Sequence, residues 1–534
     1  MLVTSIIFVI LSNAFTNRKD LSLSFNRSLI TVILVTLLIG SSSNNFIVLK
    51  EGVSILGGLF NNSNFSITFH IFILFITLVI LHLTAFLPKN YINNYININN
   101  RYIENLLSNL QLTDKSKEQY NIIEYPLIIV FVITGAIFLI SSSDIISIFI
   151  SIELQSYGLY LLCSSYRNSE SSTGAGLTYF LLGGLSSCFI LLAFGILYSN
   201  SGITNIDGYF ILANIIDVSY STDSIIYWYD PNYINYSLVL LSLGFLFKIS
   251  AAPFHFWSPD VYDAIPTVVT TFVANIAKIS LLVFLINIIH NTSNIIIYNF
   301  NWTNSLLVSS FLSLIIGTVL GLNQFRIKRL LAYSTISHIG FILLALSLNS
   351  IESTQAFIFY LMQYSISNVN AFVIIIGIGY TMYTYGNKEN KTFSEQDNSP
   401  IQYIAQLRGY YFLSPVLAIS FTIVMYSFVG IPPLIGFFGK QMVLSSALDK
   451  GYLFISLVAI LTSVISAVYY LNIVKEVFFE KPEYEINNNQ DYTVTLSTNL
   501  SVIISILTLI MLLFILNPEE WLSITNILAI YMFT

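Results

Sequence analysis

Apolar stretches about as long as a bilayer crossing alternate with short polar connections along nearly the whole chain. A spanning helix needs about 17–25 mostly apolar residues. That unit predicts helices near 1–15, 28–48, 66–87, 125–142, 144–165, 174–199, 233–257, 260–290, 303–322, 328–348, 353–385, 409–435, 436–478 with a break near 449, and 495–516. With 409–448 taken as one broken helix, the pattern gives fourteen spans. Two runs contain helix breakers. Pro253 follows Lys248 in Phe247-Lys248-Ile249-Ser250-Ala251-Ala252-Pro253, and Gly430-Ile431-Pro432-Pro433 precedes Lys440. Proline removes a backbone donor and clashes with the preceding turn, so both helices are predicted to open at membrane depth. Irregular backbone survives there only where protein or a water-filled cavity surrounds it.

Composition agrees with this pattern. Apolar residues make up 55% of 534 positions, charged residues 9%, and mean hydropathy is +0.77, whereas soluble domains are about one quarter charged. The fold class is therefore all-α, a polytopic membrane protein of about fourteen helices. The opening run to Ala14 has no basic n-region or small-residue cleavage site, which predicts a retained first helix and not a signal or transit peptide. Cys163 and Cys188 fall in apolar runs and are expected to pack as small residues. No residue spacing predicts a metal site, nucleotide loop or haem ligand, so no cofactor or metal is expected in this chain.

Basic residues test the helix count independently. When the connections are numbered in order, the odd ones hold Arg18, Lys19, Arg27, Lys89, Arg101, Lys115, Lys117, Arg167, Arg326, Lys328, Arg329, Lys388, Lys391, Arg408, Lys475 and Lys481. Even connections hold only Lys50 and Lys450, along with Asp207, Asp217, Asp223 and Asp230. The positive-inside rule puts odd connections on the matrix or cytoplasmic side and both termini on the opposite face. The polar stretches 89–124 and 386–407 are expected as basic-side loops, the second a flexible insertion.

Four ionisable residues stand alone within spans. Lys248 is the one charge between Asp230 and Asp260, Lys278 between Asp263 and Arg326, Lys440 between Arg408 and Asp449, and Glu153 between Asp144 and Arg167. A charge at the centre of a spanning helix costs roughly 2.5–3.5 kcal/mol on insertion scales, which makes function its default reading. A lysine near a helix end can instead snorkel to the interface. Two helix breaks, each beside a lone lysine, are the pattern of a duplicated transporter. The expected division is a three-helix segment with a basic-side loop at 1–124, five-helix repeats at 125–302 and 303–480, and a helix and tail at 481–534. An odd number of helices per repeat makes the two inverted. His338 reads equally as a satisfied core histidine or a relay group, while His70, His82, His255 and His290 read as structural or interfacial.

The segment running from Lys248 through Pro253-Phe254-His255-Phe256-Trp257, Pro259-Asp260-Val261-Tyr262 and on to Lys278 resembles the antiporter-like, proton-translocating subunits of NADH:quinone oxidoreductase. So do Lys328-Arg329-Leu330-Leu331-Ala332-Tyr333-Ser334-Thr335-Ile336-Ser337-His338-Ile339-Gly340, Gly430 to Lys440, and Ser151-Ile152-Glu153-Leu154. Lysine at the second broken helix departs from the subunit 4 type, and the chain length leaves no room for the lateral helix of the subunit 5 type, so the fit is to the subunit 2 type. The resemblance implies that Glu153 pairs with Lys248, that Lys278 is the central relay, and that Lys440 serves the far side, with His338 as a further candidate. It also implies a multi-pass protein of the mitochondrial inner membrane, where the basic-residue asymmetry puts both termini on the intermembrane-space side. Its partners would be other membrane-arm subunits of complex I, including related antiporter-like ones, and membrane lipids, with no nucleic acid. FMN, iron–sulfur clusters and ubiquinone would belong to partner subunits. The alternatives are a subunit of a multisubunit sodium/proton antiporter, which shares fold and lysines, and a scaffold with vestigial lysines.

Overall fold

A computed structural model describes residues 2–15, 22–44, 52–85, 124–166, 169–209, 211, 231–292, 301–386, 401–482 and 498–533. Most of the two polar loops, and the basic residues Arg18, Lys19, Lys50, Lys89, Arg101, Lys115, Lys117, Arg167, Lys388 and Lys391, lie outside them, as do Asp217, Asp223 and Asp230. The helices are α1 (Leu2–Phe15), α2 (Ser22–Asn44), α3 (Asn64–Ala85), α4 (Tyr125–Ser141), α5 (Ile145–Ser164), α6 (Glu170–Ser201), α7 (Pro231–Ile249), α8 (Trp257–Ala264), α9 (Thr267–Thr292), α10 (Thr303–Leu322), α11 (Ile327–Ser347), α12 (Ile351–Gly386), α13 (Pro415–Val429), α14 (Ile435–Asp449), α15 (Leu453–Phe478), α16 (Thr498–Leu513) and α17 (Pro518–Phe533). A short antiparallel hairpin, β1 (Val53–Ile55) with β2 (Phe60–Asn62), precedes α3. Three-residue strands carry too few alternating positions to be seen in the sequence.

Local chemistry sets the helix ends. Asp144 caps α5 by accepting from the Ile146 amide at 3.3 Å, satisfying a donor that the first turn leaves unpaired. Pro415 opens α13, where a missing N–H is harmless, and Gly430 closes it at φ +85°, a left-handed cap suited to glycine. Both expected breaks are present, between α7 and α8 and between α13 and α14. One boundary differs from expectation. The helix predicted over 260–290 is divided into α8 and α9, because Ile265 precedes Pro266 and is extended at φ −84°, ψ 157°, the region proline imposes on its predecessor.

Eight described helices are long and apolar enough to cross a membrane, or nine if α16 and α17 are one span bent by 93°. The expected fourteen exceeds this count because the pieces of broken spans and several short apolar helices fall below that length. In the spans of α9, α11 and α12, 94% of the residues are buried, against 28% in α6. The first three form the interior, while α6 and α15 turn Leu181, Leu192, Val464 and Val468 outward. α17 was read from the sequence only as a tail. It packs on α12, its Leu522 carbonyl accepting from Gln355 Nε2 at 3.2 Å.

Two pairs of neighbouring helices approach closely at glycines. A Cβ on Gly135 of α4 would lie 2.7 Å from the Gln155 nitrogen and 3.0 Å from the Ser151 oxygen of α5. On Gly317 of α10 it would lie 2.7 Å from the Ser337 nitrogen and 3.0 Å from the Tyr333 oxygen of α11. Backbone atoms cannot rotate away, so Gly317→Ala is expected to destabilise the protein by about 1–3 kcal/mol through overpacking. Gly184→Ala on α6, where nothing lies within 4 Å, should have no such effect. Thermal melting of the detergent-solubilised protein distinguishes the two.

Candidate functional site

Glu153 lies midway along α5 and Lys248 one residue before the end of α7. Lys248 Nζ donates to Glu153 Oε1 at 3.3 Å, with the side chains 7% and 13% exposed. The other carboxylate oxygen accepts from Ser156 Oγ at 3.4 Å. Just beyond the lysine the chain leaves helical geometry at Ser250, φ +64°, and Trp257 Nε1 donates to the Phe247 carbonyl at 2.9 Å, which ties the start of α8 to the end of α7. A cavity of about 20 Å³ lies here, lined by Gln155, Ser156, Tyr160, Lys248 and Ala277 among others. That volume holds about one water, and it reaches from the helix of Glu153 to that of Lys278.

Lys278 is buried near the middle of α9. Its Nζ donates to Thr335 Oγ1 of α11 at 3.2 Å and lies 5.3 Å from the centre of the Tyr262 ring. Two further polar contacts fix α9 in place. Ser280 donates to Gln155 Oε1 of α5 at 3.0 Å, and Asn368 of α12 donates to Asn275 Oδ1 at 3.1 Å.

His338 follows Thr335 by three residues and therefore stands on the same face of α11. Its Nδ1 is 2.7 Å from Tyr360 Oη and its Nε2 3.2 Å from Tyr470 Oη, and Tyr470 is also bonded to Ser334. The imidazole ring is 5.2 Å from that of Phe428. The carbonyls of Phe428 and Val429, at the open end of α13, each accept from Lys440 Nζ at 2.8 Å. Lys440 therefore reaches back across the second break, and its ammonium lies 5.6 Å from the Phe341 ring centre.

Of the residues singled out in the sequence, the structure joins Glu153 to Lys248 directly and places Lys278, His338 and Lys440 in a continuing polar row on α9, α11 and α14. The three ammonium groups bond to different partners and not to one another. The other histidines stand apart: His70 Nε2 contacts the Ile137 carbonyl at 3.0 Å, and His255 Nδ1 is buried without a partner. Thr270 bonds its own helix at Thr267. Sequence reasoning missed Thr335, Tyr360, Tyr470 and Gln155, because hydroxyls and amides do not stand out in a chain with 34 tyrosines. Their signal is the three- and four-residue spacing of Ser334, Thr335 and His338.

Lys328, counted with the basic connections and at the start of the helix predicted over 328–348, is buried and donates to the Ile265 carbonyl at 2.7 Å, at the proline-enforced end of α8. Around it Arg326 pairs with Asp263 at 2.5 Å, Arg329 with Asp263 at 3.4 Å, and Arg329 with Asp260. The Asp263 carboxylate holds the Arg326 guanidinium still further above its usual range.

Two broken helices that place lone lysines against a carboxylate and helix-end carbonyls, with a third lysine facing a hydroxyl from the intact α9 between them, define an antiporter-like membrane subunit. The family described as NADH:quinone oxidoreductase/Mrp antiporter, TM, matches residues 142–466, and the chain belongs to it. It is 41% identical, over the whole of both chains, to NADH-ubiquinone oxidoreductase chain 2 of Rhizopus oryzae. The same fold occurs in a chain of respiratory complex I from Thermus thermophilus with bound aureothin (23% identity, TM-score 0.70, 98% of this chain and 97% of that one). It occurs too in a chain of the Mrp complex from Dietzia sp. (18% identity, TM-score 0.75, 100% and 96%).

Glu153 and Lys248 should be energetically coupled. Removing one partner of a buried pair leaves the other uncompensated, so a double-mutant cycle of Glu153→Gln and Lys248→Met should give an interaction of about 0.5–3 kcal/mol, read from thermal stability. Additive losses would show that the pair is not formed.

Proposed function

We propose that this chain is a core membrane-arm subunit of respiratory complex I and takes part in proton translocation driven by electron transfer from NADH to ubiquinone. The observation that carries this reading is the full-length 41% identity to a chain 2 subunit, joined to a row of buried ionisable groups that a scaffold would not need. The catalytic unit is NADH:ubiquinone reductase (H+-translocating), with FMN, iron–sulfur clusters and ubiquinone in partner subunits. The membrane is the mitochondrial inner membrane, and both termini face the intermembrane space.

Proton transfer through this chain would use Glu153, Lys248, Lys278, His338 and Lys440. Two unit charges 4 Å apart interact by about 4 kcal/mol at an effective dielectric of 20, and a tenfold change in proton affinity is about 1.36 kcal/mol. Moving Glu153 away from Lys248 by a few ångströms therefore weakens the lysine's hold on its proton, beside the cavity that would receive it. Ordered water would connect Lys248 to Lys278, and the tyrosine–histidine cluster would connect Lys278 to Lys440. At Lys440 two helix-end carbonyls accept from the side-chain nitrogen, and opening of the second break would withdraw them.

Subunit membership is tested by mass spectrometry of native-gel bands from gently solubilised membranes, with in-gel NADH oxidation. The chain is expected in a very large NADH-oxidising band. Its presence in a smaller assembly without that activity would favour the antiporter reading, and sodium-dependent proton exchange should then be measured. Within an assembled complex, Lys440→Met should lower the protons pumped per NADH. Unchanged pumping with normal NADH oxidation would remove Lys440 from the path.

A further inference from the structure

Two parts of the chain repeat the same helix contacts, with α4 and α5 standing 182 positions before α10 and α11 and the segments that bond their starts 198 apart, and that register bears on the central lysine. Gly135 meets the backbone of Ser151 and Gln155, and Gly317 that of Tyr333 and Ser337, each second residue 182 positions after the first. Gly158 faces Val132 as Gly340 faces Leu314, again 182 apart. At the helix starts, Ile145 N donates to the Thr204 carbonyl at 3.0 Å and Ile327 N to that of Gln402 at 2.9 Å. Ile206 N donates to Ser143 at 2.9 Å and Ile404 N to Phe325 at 3.0 Å. In this register Glu153 of α5 falls on Thr335 of α11. Each of the two faces a lysine: Glu153 is 3.3 Å from Lys248, and Thr335 is 3.2 Å from Lys278.

We propose that Thr335 is the positioning residue of Lys278, a hydroxyl standing where the first half has its carboxylate. This rests on the proton-relay reading above. An ionised carboxylate only accepts hydrogen bonds, whereas a hydroxyl both donates and accepts. Here Thr335 Oγ1 donates to the Ala332 carbonyl at 2.7 Å, so its lone pairs face the Lys278 ammonium. That carbonyl lies within a regular helix and keeps its own backbone partner, so the hydroxyl proton is free to turn toward Lys278 once the lysine becomes a neutral amine. Thr335 thus stays bonded to Lys278 in both protonation states. It orients the side chain without an opposite charge that would retain the proton. Lys248 is gated by a movable charge; Lys278, in the middle of the row, receives and passes a proton with its geometry unchanged.

The test uses complete complex I in native membranes carrying Thr335→Val, Thr335→Ser or Thr335→Asp, with assembly followed on native gels. Thr335→Val is expected to assemble and to lower ubiquinone-coupled NADH oxidation and pumping several-fold, and Thr335→Ser to restore both. Thr335→Asp restores a carboxylate beside the lysine, so the alkaline limb of the pH–rate profile should move to higher pH, a change that a packing role would not produce. Should Thr335→Val fail to assemble, Thr335→Ala carries the same comparison. Normal pumping in the hydroxyl-free variant, or a serine variant as impaired as valine with an unmoved profile in the aspartate variant, overturns the proposal. Lys278→Met separates the two levels of inference. If it too pumps normally, the relay reading fails. If it is impaired while Thr335→Val is not, only the role of Thr335 fails.

Discussion

A helix that opens inside a membrane exposes carbonyls with no water to bond them, and the architecture follows from how those groups are satisfied. At the second break Lys440 supplies two of the missing donors, to Phe428 and Val429. A cation at a helix C-terminus also meets the negative end of the helix dipole, so the ammonium is stabilised by the structure it completes. At the first break the tryptophan indole of Trp257 and the amides of Ser250 and Ala251 close the turn, which leaves Lys248 free to pair with Glu153. The same device, an interrupted span, therefore yields two different lysine environments.

The interior helices inherit the consequences. α9, α11 and α12 are almost wholly enclosed, so polar groups on them bond within the protein or remain unbonded. Gln155 Nε2, Gln363 Oε1 and both amide atoms of Asn370 are buried without protein partners, and unpaired groups of this kind are typically bridged by ordered water. They lie on the helices that carry Glu153 and the tyrosine partner of His338. On the proposed path, a row of hydroxyls, amides and imidazole in an apolar shell would need water to complete it, and these atoms are polar groups that such water would bond.

The short helix α8 links the first break to the second half of the molecule. Asp260 and Asp263 on α8 hold Arg326 and Arg329, and buried Lys328 holds its final carbonyl. All three basic residues sit at the start of α11, the helix of Thr335 and His338. The segment after the first break is thereby bonded directly to the start of the helix that carries Thr335 and His338. Surface ion pairs alone contribute little, but a buried ammonium on a helix-end carbonyl does not detach without loss.

The sequence by itself determined the membrane class, the two breaks and the four lone charges, because hydrophobic length, proline and an isolated lysine act through local chemistry. The helix at 303–322 was legible to the residue from its apolar run, and that at 144–165 to within one, since the Asp144 cap is a local signal as well. The Ile265–Pro266 division was legible in principle, since proline acts on its predecessor locally, whereas the helix after Asn517 and the burial of Lys328 depend on what packs against the segment. The register linking Glu153 with Thr335 was also beyond the sequence, since a glutamate and a threonine have no chemical likeness that would align them. Only tertiary structure set those two residues against their lysines, because which side chains meet across separate helices is decided by glycine contacts and helix-end bonds between elements far apart in the chain.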